Sequence, residues 1–167
     1  MRAQEPAGSP SVAAGRRVAA LVPRAGLALT CSSVPDVLLA TDADWIHDEV
    51  DAVLGDEDSK VVRVRAGREV QGAVEALQPG LVILDLQIGN MGGVATALAL
   101  QQSFEATIRV RPPILLLLDR PSDVFLARRS LAEGWLVKPL DSFRLRRASR
   151  ALLAGDTYHE PSGLATA

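Results

Sequence analysis

Cysteine and lysine are both scarce in this sequence. Cys31 is the one cysteine among 167 residues, so the chain cannot form an intramolecular disulfide or a cysteine-based zinc site. Lys60 and Lys138 are the two lysines among the 18 basic residues, and the other 16 are arginines, a skew that indicates a GC-rich bacterial genome. Because nothing in the sequence indicates an oxidising compartment, we predict a cytoplasmic protein.

Neither a strong net charge nor a long apolar run is present. The formal net charge of -2 gives no broad basic field, which argues against direct binding to DNA. No apolar run approaches the roughly 20 residues that span a bilayer, so no membrane span is predicted. With 48% hydrophobic and 23% charged residues, a chain of this length is typical of one domain with its own core.

The first 33 residues contain an arginine pair and a weakly apolar stretch, a pattern that export signals share. Pro23 and Arg24 interrupt that stretch, so we reject the export signal and expect a flexible extension. The predicted organisation is an extension over residues 1–35, a folded domain over residues 36–155 and a short polar tail over residues 156–167.

Short apolar runs alternate with amphipathic helical patterns from Val37 onward. Asp44 and Asp141 stand where the N-caps of the first and last helices are expected. Five alternating strands and helices predict right-handed crossovers and a parallel sheet covered on both faces. The predicted strands are 37–40, 60–64, 81–85, 114–118 and 135–137, and the predicted helices are 45–54, 68–77, 93–102, 123–132 and 142–153.

Polar residues follow several of these strands. Because the carboxyl ends of parallel strands converge on one crevice, we expect two carboxylates and a lysine to meet there. The residues at these ends are Thr41 and Asp42 after strand one, Asp85 after strand three, Leu118 and Asp119 after strand four, and Lys138 after strand five.

Residues 85–93 read Asp-Leu-Gln-Ile-Gly-Asn-Met-Gly-Gly. This segment resembles the Asp-Leu-x-Met-Pro-x-Met-Asp-Gly phosphoacceptor motif of two-component response regulators, whose receiver domains also carry a lysine before a proline after strand five, here Lys138-Pro139. Residues 36–154 therefore resemble a receiver domain. The resemblance implies an α/β, flavodoxin-like (βα)5 doubly wound sandwich with a central five-stranded parallel sheet, and a cis peptide bond before Pro139.

The resemblance also implies a chemistry. Asp85 would accept a phosphoryl group, Lys138 would contact it, and Mg²⁺ would be bound by Asp42, Asp85 and the backbone carbonyl of Gln87. The protein would be a phosphoprotein of a bacterial phosphorelay and not an enzyme, apart from autophosphorylation from small phosphodonors. Its phosphodonor partner would be a sensor histidine kinase or a phosphotransfer protein.

Two positions near the site depart from the receiver pattern. Thr41 replaces the first acidic metal ligand, so we expect weak Mg²⁺ binding. Leu118 stands where the switch hydroxyl of Thr or Ser is usual, unless a shift of one residue brings Asp119 there, and Trp135 occupies the aromatic switch position. We expect an atypical receiver, with a phosphorylation-independent pseudo-receiver that binds proteins as the alternative.

Arginines cluster on the last two predicted helices. We expect them on the solvent face, either as simple solvation or as a basic docking face for an acidic protein, with a homodimer as a further open alternative. Too few residues follow Leu153 for a DNA-binding domain, so the expected regulator is stand-alone and signals by binding an unidentified protein target. The residues of this partner face are Arg128, Arg129, Arg144 and Arg147.

A rival enzyme interpretation rests on Asp42-Ala43-Asp44 after the first strand. This triplet is similar to the Asp-x-Asp of haloacid-dehalogenase-like phosphatases, in which the first aspartate is the nucleophile and the second the acid/base. That family also needs a Thr or Ser after a later strand and a downstream acidic pair, and neither is found. We therefore rank this interpretation below both receiver hypotheses.

Overall fold

The computed structural model describes residues 36–56, 59–107 and 109–160. The predicted extension over residues 1–35 and residues 161–167 of the predicted tail lie outside the described residues. Single-turn 3₁₀ helices at Gly67–Glu69 and Pro121–Asp123 precede two of the α-helices. The strands are β1 (Val37–Ala40), β2 (Val61–Val64), β3 (Leu81–Asp85), β4 (Ile114–Leu118), β5 (Gly134–Val137) and β6 (Tyr158–His159), and the helices are α1 (Asp44–Leu54), α2 (Val70–Leu77), α3 (Gly93–Thr107), α4 (Val124–Arg129) and α5 (Ser142–Leu153).

The sheet has six strands in the order β2-β1-β3-β4-β5-β6, and every neighbouring pair is parallel. The predicted α/β flavodoxin-like architecture is confirmed, but the predicted count of five strands is one too low. Tyr158–His159 pairs with β5 in a segment that we predicted as a polar tail. A two-residue strand carries no alternation that a sequence pattern could reveal.

Apolar side chains cover both faces of the sheet. Strands β1, β3 and β4 are therefore buried along their whole length. One core cluster packs α2, α3 and α4 against the sheet, and the other packs α1 and α5 against the opposite face. Burial on both faces explains why these strands read as continuous apolar runs in the sequence. No helix among the described segments has the length and apolarity to cross a membrane.

The helix ends confirm one predicted cap and correct another. Asp141 caps α5 by accepting a hydrogen bond of 2.9 Å from the Arg144 backbone N–H, as predicted. Asp44 is not an N-cap: it is the first residue of α1, and its Oδ1 accepts hydrogen bonds from Arg63 (2.6 Å) and Arg65 (2.8 Å). The Arg63 hydrogen bond is the main cause that lowers the pKa of Asp44, with Arg65 adding to it.

Two helices end at a residue other than the predicted one. Helix α3 continues to Thr107, five residues beyond the predicted end. Helix α4 ends at Arg129 and not at residue 132, because Leu131 adopts a positive φ of 60° that no α-helix continues through.

Candidate functional site

Asp85 is the last residue of β3, and its side chain points into the crevice at the carboxyl end of the sheet. Its Oδ1 accepts hydrogen bonds from Lys138 Nζ (2.7 Å) and the Gln87 backbone N–H (3.2 Å), and its Oδ2 accepts one from Thr41 Oγ1 (2.8 Å). Only 2% of the residue is exposed. Both carboxylate oxygens are therefore engaged by the protein itself, although each retains further acceptor capacity.

Lys138 follows β5 and is brought to the crevice by the sheet register, since its backbone N–H donates to the Leu118 carbonyl at 2.8 Å. Its ammonium donates to Asp85 Oδ1 and to Asp119 Oδ1, the second at 2.9 Å. The Trp45 ring lies 5.9 Å from Nζ and covers one side of it. The Lys138-Pro139 peptide bond is cis, as the resemblance implied.

The protonation state of Lys138 follows from these contacts. Burial acts to lower the pKa of its ammonium, but the hydrogen bonds and charges of Asp85 and Asp119 outweigh burial. The pKa is therefore raised above the ordinary value of 10.5. Lys138 is a permanent cation at neutral pH, shared between two carboxylates.

Thr41 lies on the opposite side of Asp85 from Lys138 and is fully buried. Its hydroxyl donates to Asp85 and accepts from the Ala43 backbone N–H at 3.2 Å, while its carbonyl accepts from Arg63 Nε at 2.9 Å. The residue thus supplies a neutral donor at the position where the receiver pattern has an acid. A threonine here satisfies one oxygen of Asp85 without any cation.

The predicted magnesium ligands are only partly assembled. Asp42 is exposed, and its Oδ2 lies 3.6 Å from the position that a Cβ on Gly89 would take, beside the loop after β3. Gln87 is exposed on the same loop. Within the part of the chain that the structure describes, no three acidic, histidine or cysteine side chains form a metal site. Two carboxylates and a carbonyl fit a Mg²⁺ that keeps most of its water, which that ion tolerates.

The loop that follows Asp85 requires a glycine at its end. A Cβ on Gly93 would lie 2.6 Å from the Asp85 carbonyl oxygen, closer than real Cβ atoms approach. Thr96 then ties the loop to α3, because its hydroxyl donates to the Met91 carbonyl at 2.6 Å. The last glycine of the motif is thus explained by the packing of α3 against the end of β3.

The end of β4 carries the two residues between which the sequence left the switch position open, Leu118 and Asp119. Leu118 is fully buried in the core cluster with α2, α3 and α4, so no switch hydroxyl stands there. Asp119, the next residue, turns toward Lys138. Its Oδ2 is buried without a hydrogen-bond partner among the described residues. Sequence reasoning placed Asp119 at the strand end but did not predict its bond to Lys138.

Trp135 does not face solvent but is buried at 4% exposure. Its indole stacks on His159 with 4.0 Å between ring centroids and 10° between planes, and its Nε1 donates to the Glu160 carbonyl at 3.2 Å. Trp135, at the predicted switch position, is therefore held in place by its contacts with His159 and Glu160.

The predicted partner face is less uniform than expected. Arg128, Arg129 and Arg147 are exposed, and the Arg129 guanidinium lies 4.2 Å from the centroid of the Phe125 ring. Arg144 departs from the expected solvent face: its Nη2 donates to the Val137 carbonyl at 2.8 Å and also pairs with the Glu160 carboxylate. Arg144 is thus only partly exposed because it pairs with Glu160, a residue too far away in the chain for sequence spacing to reveal the contact.

The phosphatase interpretation gains nothing from the geometry. Asp44 is held by Arg63 and Arg65 on the β2 side of the crevice. An aspartate that forms two ion pairs is a poor proton donor, since both arginines favour its charged form. The carboxylates that pair with a lysine in the crevice are Asp85 and Asp119.

Solved structures of other proteins share this architecture. The signal receiver domain of a signal transduction histidine kinase from Syntrophus aciditrophicus is 24% identical, with a TM-score of 0.63, and the match covers 78% of this chain and 98% of that one. Chemotaxis protein CheY4 from Vibrio cholerae is 24% identical, with a TM-score of 0.61 and coverage of 71% and 98%. A LuxR-family two-component response regulator from Aurantimonas sp. SI85-9A1 is 21% identical, with a TM-score of 0.65 and coverage of 76% and 90%.

No protein-family model matches the sequence, and no curated protein matches it significantly. The three identities above lie below 25%, so these likenesses concern the fold. The chain has the fold of the response regulator receiver domain.

Proposed function

We propose that the chain is a response regulator of a bacterial two-component phosphorelay that accepts a phosphoryl group on Asp85. The observation that carries this proposal is the contact of 2.7 Å between Asp85 Oδ1 and Lys138 Nζ at the carboxyl end of the sheet. A carboxylate nucleophile and a fixed cation that can neutralise the incoming phosphoryl oxygens are the two groups that the transfer needs most.

The chemistry at Asp85 is a displacement at phosphorus. One carboxylate oxygen forms a bond to phosphorus while the bond from phosphorus to the donor's leaving group breaks, which yields an aspartyl phosphate and the free donor. Lys138 can turn from Asp119 toward the new phosphoryl oxygens, as a point charge on a flexible stem can. A bound Mg²⁺, held by Asp42, Asp85 and the Gln87 carbonyl, would neutralise further phosphoryl charge.

The partners follow from this role. A sensor histidine kinase or a phosphotransfer protein supplies the phosphoryl group, and the output is a contact with another protein. The exposed Arg128, Arg129 and Arg147 favour an acidic partner. The cytoplasm is the compartment in which such a relay operates, and the chain is not an enzyme beyond its own phosphorylation.

A second candidate function is a pseudo-receiver that binds its partner without phosphorylation. The observation that favours it is that the protein's own groups already contact the site: Thr41 and Lys138 hydrogen-bond both oxygens of Asp85, and Asp119 also pairs with Lys138. In that case the site is an internal ion-pair network that holds the carboxyl ends of β3, β4 and β5 together.

The test is the intact mass of the protein after incubation with acetyl phosphate and Mg²⁺. Phosphorylation predicts a gain of about 80 Da, which the Asp85→Asn variant loses. The matched control is Asp48→Asn, a substitution of an exposed aspartate on α1 that must keep the gain. No gain under conditions that label a standard receiver would reject phosphoacceptance and leave the pseudo-receiver as the function.

A further inference from the structure

Residues 157–160 lie along the open edge of β5 and form what we call the edge segment. The Tyr158 backbone N–H donates to the Glu133 carbonyl at 3.1 Å, and β6 pairs with β5 in a parallel register that sets Trp135 beside His159. A short strand added to a sheet edge is the arrangement by which many domains bind extended peptides.

The side chains of the edge segment make contacts more specific than those of an ordinary edge strand. His159 stacks on the Trp135 indole, and the Glu160 carbonyl accepts the indole N–H. The Glu160 carboxylate accepts the Val137 backbone N–H at 2.6 Å and pairs with Arg144. This carboxylate therefore satisfies a backbone donor at the end of β5 and an arginine of α5 at once.

The edge segment is nevertheless joined to the sheet by a short stretch of backbone pairing. Two residues of β6 pair with β5, and the segment follows Gly155, which adopts a φ of 86° where side chains are strained. Thr157 and His159 are exposed. Short edge strands with exposed backbone hydrogen bonds open at a small fraction of the global unfolding free energy.

The surroundings fit a larger ligand than the segment itself. A pocket of about 480 Å³ lies beside the edge segment and is lined in part by Arg128, Leu131, Trp135 and His159. Arg147 approaches the Tyr158 ring at 5.9 Å from the other side. A ligand that follows the edge segment therefore meets apolar surface, Arg128 and Arg147, and also the ion pair between Arg111 and Glu133, in which the acid already has its own cation.

We propose that the β5 edge is a docking groove for an extended peptide that bears a carboxylate, and that the edge segment occupies this groove as an internal ligand. A partner peptide would run parallel to β5, lay a flat ring on Trp135 and place its carboxylate between Arg144 and the Val137 N–H. It binds by displacing residues 157–160. The proposal requires no phosphoryl transfer, so it stands whether or not Asp85 is phosphorylated.

A partner peptide must bind tightly enough to displace the edge segment from the groove. A segment tethered through a short linker competes at an effective concentration on the order of millimolar. Weakening the contacts of the edge segment should therefore open the groove to added peptide without any change at Asp85.

The experiment uses ¹⁵N-labelled full-length protein and follows the Trp135 indole N–H and the Val137 amide by NMR. The double variant His159→Ala with Glu160→Gln should shift both signals and speed the hydrogen exchange of the Val137 amide. An amidated peptide of sequence Ala-Gly-Asp-Thr-Tyr-His-Glu, added at millimolar concentration, should return both signals toward their wild-type positions. The same peptide with Gln in place of its Glu should not.

Two controls accompany the measurement. The Trp45 indole signal must stay constant, since that residue lies on α1, and Asp156→Asn must behave as wild type. Failure of the native peptide to restore either signal in a folded variant, or equal restoration by the Gln peptide, would overturn the proposal. A wild-type dimer that Glu160→Gln abolishes would also overturn it, because the segment would then come from a second copy.

Discussion

The half of the site carried by β3 and β5 keeps the groups that phosphoryl transfer needs, whereas the half carried by β1 and β4 does not. Asp85 and Lys138 meet at 2.7 Å. Across the crevice, the acid expected at position 41 is a threonine, and the hydroxyl expected at the end of β4 is replaced by a buried leucine followed by an aspartate.

The contrast teaches how the site balances its charges. Thr41 removes one carboxylate from the side that would hold a metal, and Asp119 adds one on the side of Lys138. Asp85 thereby forms an ion pair with the protein's own lysine and accepts a hydrogen bond from a neutral hydroxyl. Lys138 is thus the cation that pairs with Asp85 and Asp119, and each half of the site can be altered separately.

The largest effect should come from removing that lysine. Lys138→Met leaves Asp85 and Asp119 without their shared cation, and breaking a buried ion pair in this way costs about 3 to 5 kcal/mol of unfolding free energy. Urea unfolding measures the change. Lys60→Met, at an exposed position, is the matched control and should leave the unfolding free energy unchanged.

A second variant separates the loss of the Lys138 ion pairs from the repulsion between Asp85 and Asp119 that remains. Adding Asp119→Asn to Lys138→Met should recover part of the loss, because one of the two unpaired carboxylates is removed. If the double variant is no more stable than Lys138→Met alone, Asp119 does not contribute to the charge balance of the site.

Restoring the acid on β1 should have the next largest effect. Thr41→Asp supplies the missing carboxylate and should tighten Mg²⁺ binding roughly tenfold, or about 1.4 kcal/mol, by calorimetry. Without metal the same variant should unfold at a lower temperature, because it exchanges a hydrogen bond to Asp85 for a repulsive charge. Thr41→Asn, neutral and of similar size, must leave Mg²⁺ affinity unchanged; equal affinities for all three proteins would mean that position 41 does not face the metal.

Asp119→Asn should have a smaller effect on the opposite half. It frees Lys138 for incoming phosphoryl oxygens, so labelling by acetyl phosphate should become several-fold faster if Asp85 is the acceptor. The pKa of Lys138 should fall, since one of its two carboxylate partners loses its charge. Asp123→Asn is unsuitable as a control because Asp123 accepts a backbone hydrogen bond from Arg120, so exposed Asp48→Asn serves instead. An unchanged rate together with an unchanged pKa would assign Asp119 no role at Lys138.

The same division describes what could be predicted from the sequence. The apolar strands β1, β3 and β4 were predicted at their observed bounds, because burial on both faces produces continuous apolar runs and their length of four or five residues favours a strand over a helix. Asp85 and Lys138 were predicted to meet because strand ends in a parallel sheet converge.

Two of the errors share one physical cause, which is a contact between residues far apart in the chain. Asp44 was expected to cap α1 but pairs with Arg63 and Arg65 from the end of β2. Arg144 was expected in solvent but is drawn to Glu160, whose segment was expected to be a tail. Local patterns report local preferences, and an ion pair across the fold overrides a cap or a solvent-facing helix position when its geometry is good.

The smallest effect concerns pH and tests the charge balance without any added ligand. The pKa of Lys138 is raised in the folded protein above the ordinary value of 10.5, so the unfolded chain releases this proton first as pH rises. The stabilisation is fully present below pH 10.5 and is lost as pH rises through the folded pKa. Urea unfolding between pH 9 and about 11.5 should therefore show a steeper decline for wild type and for Lys60→Met than for Lys138→Met. Parallel declines for all three proteins would mean that Lys138 is not the cation that holds Asp85 and Asp119 together.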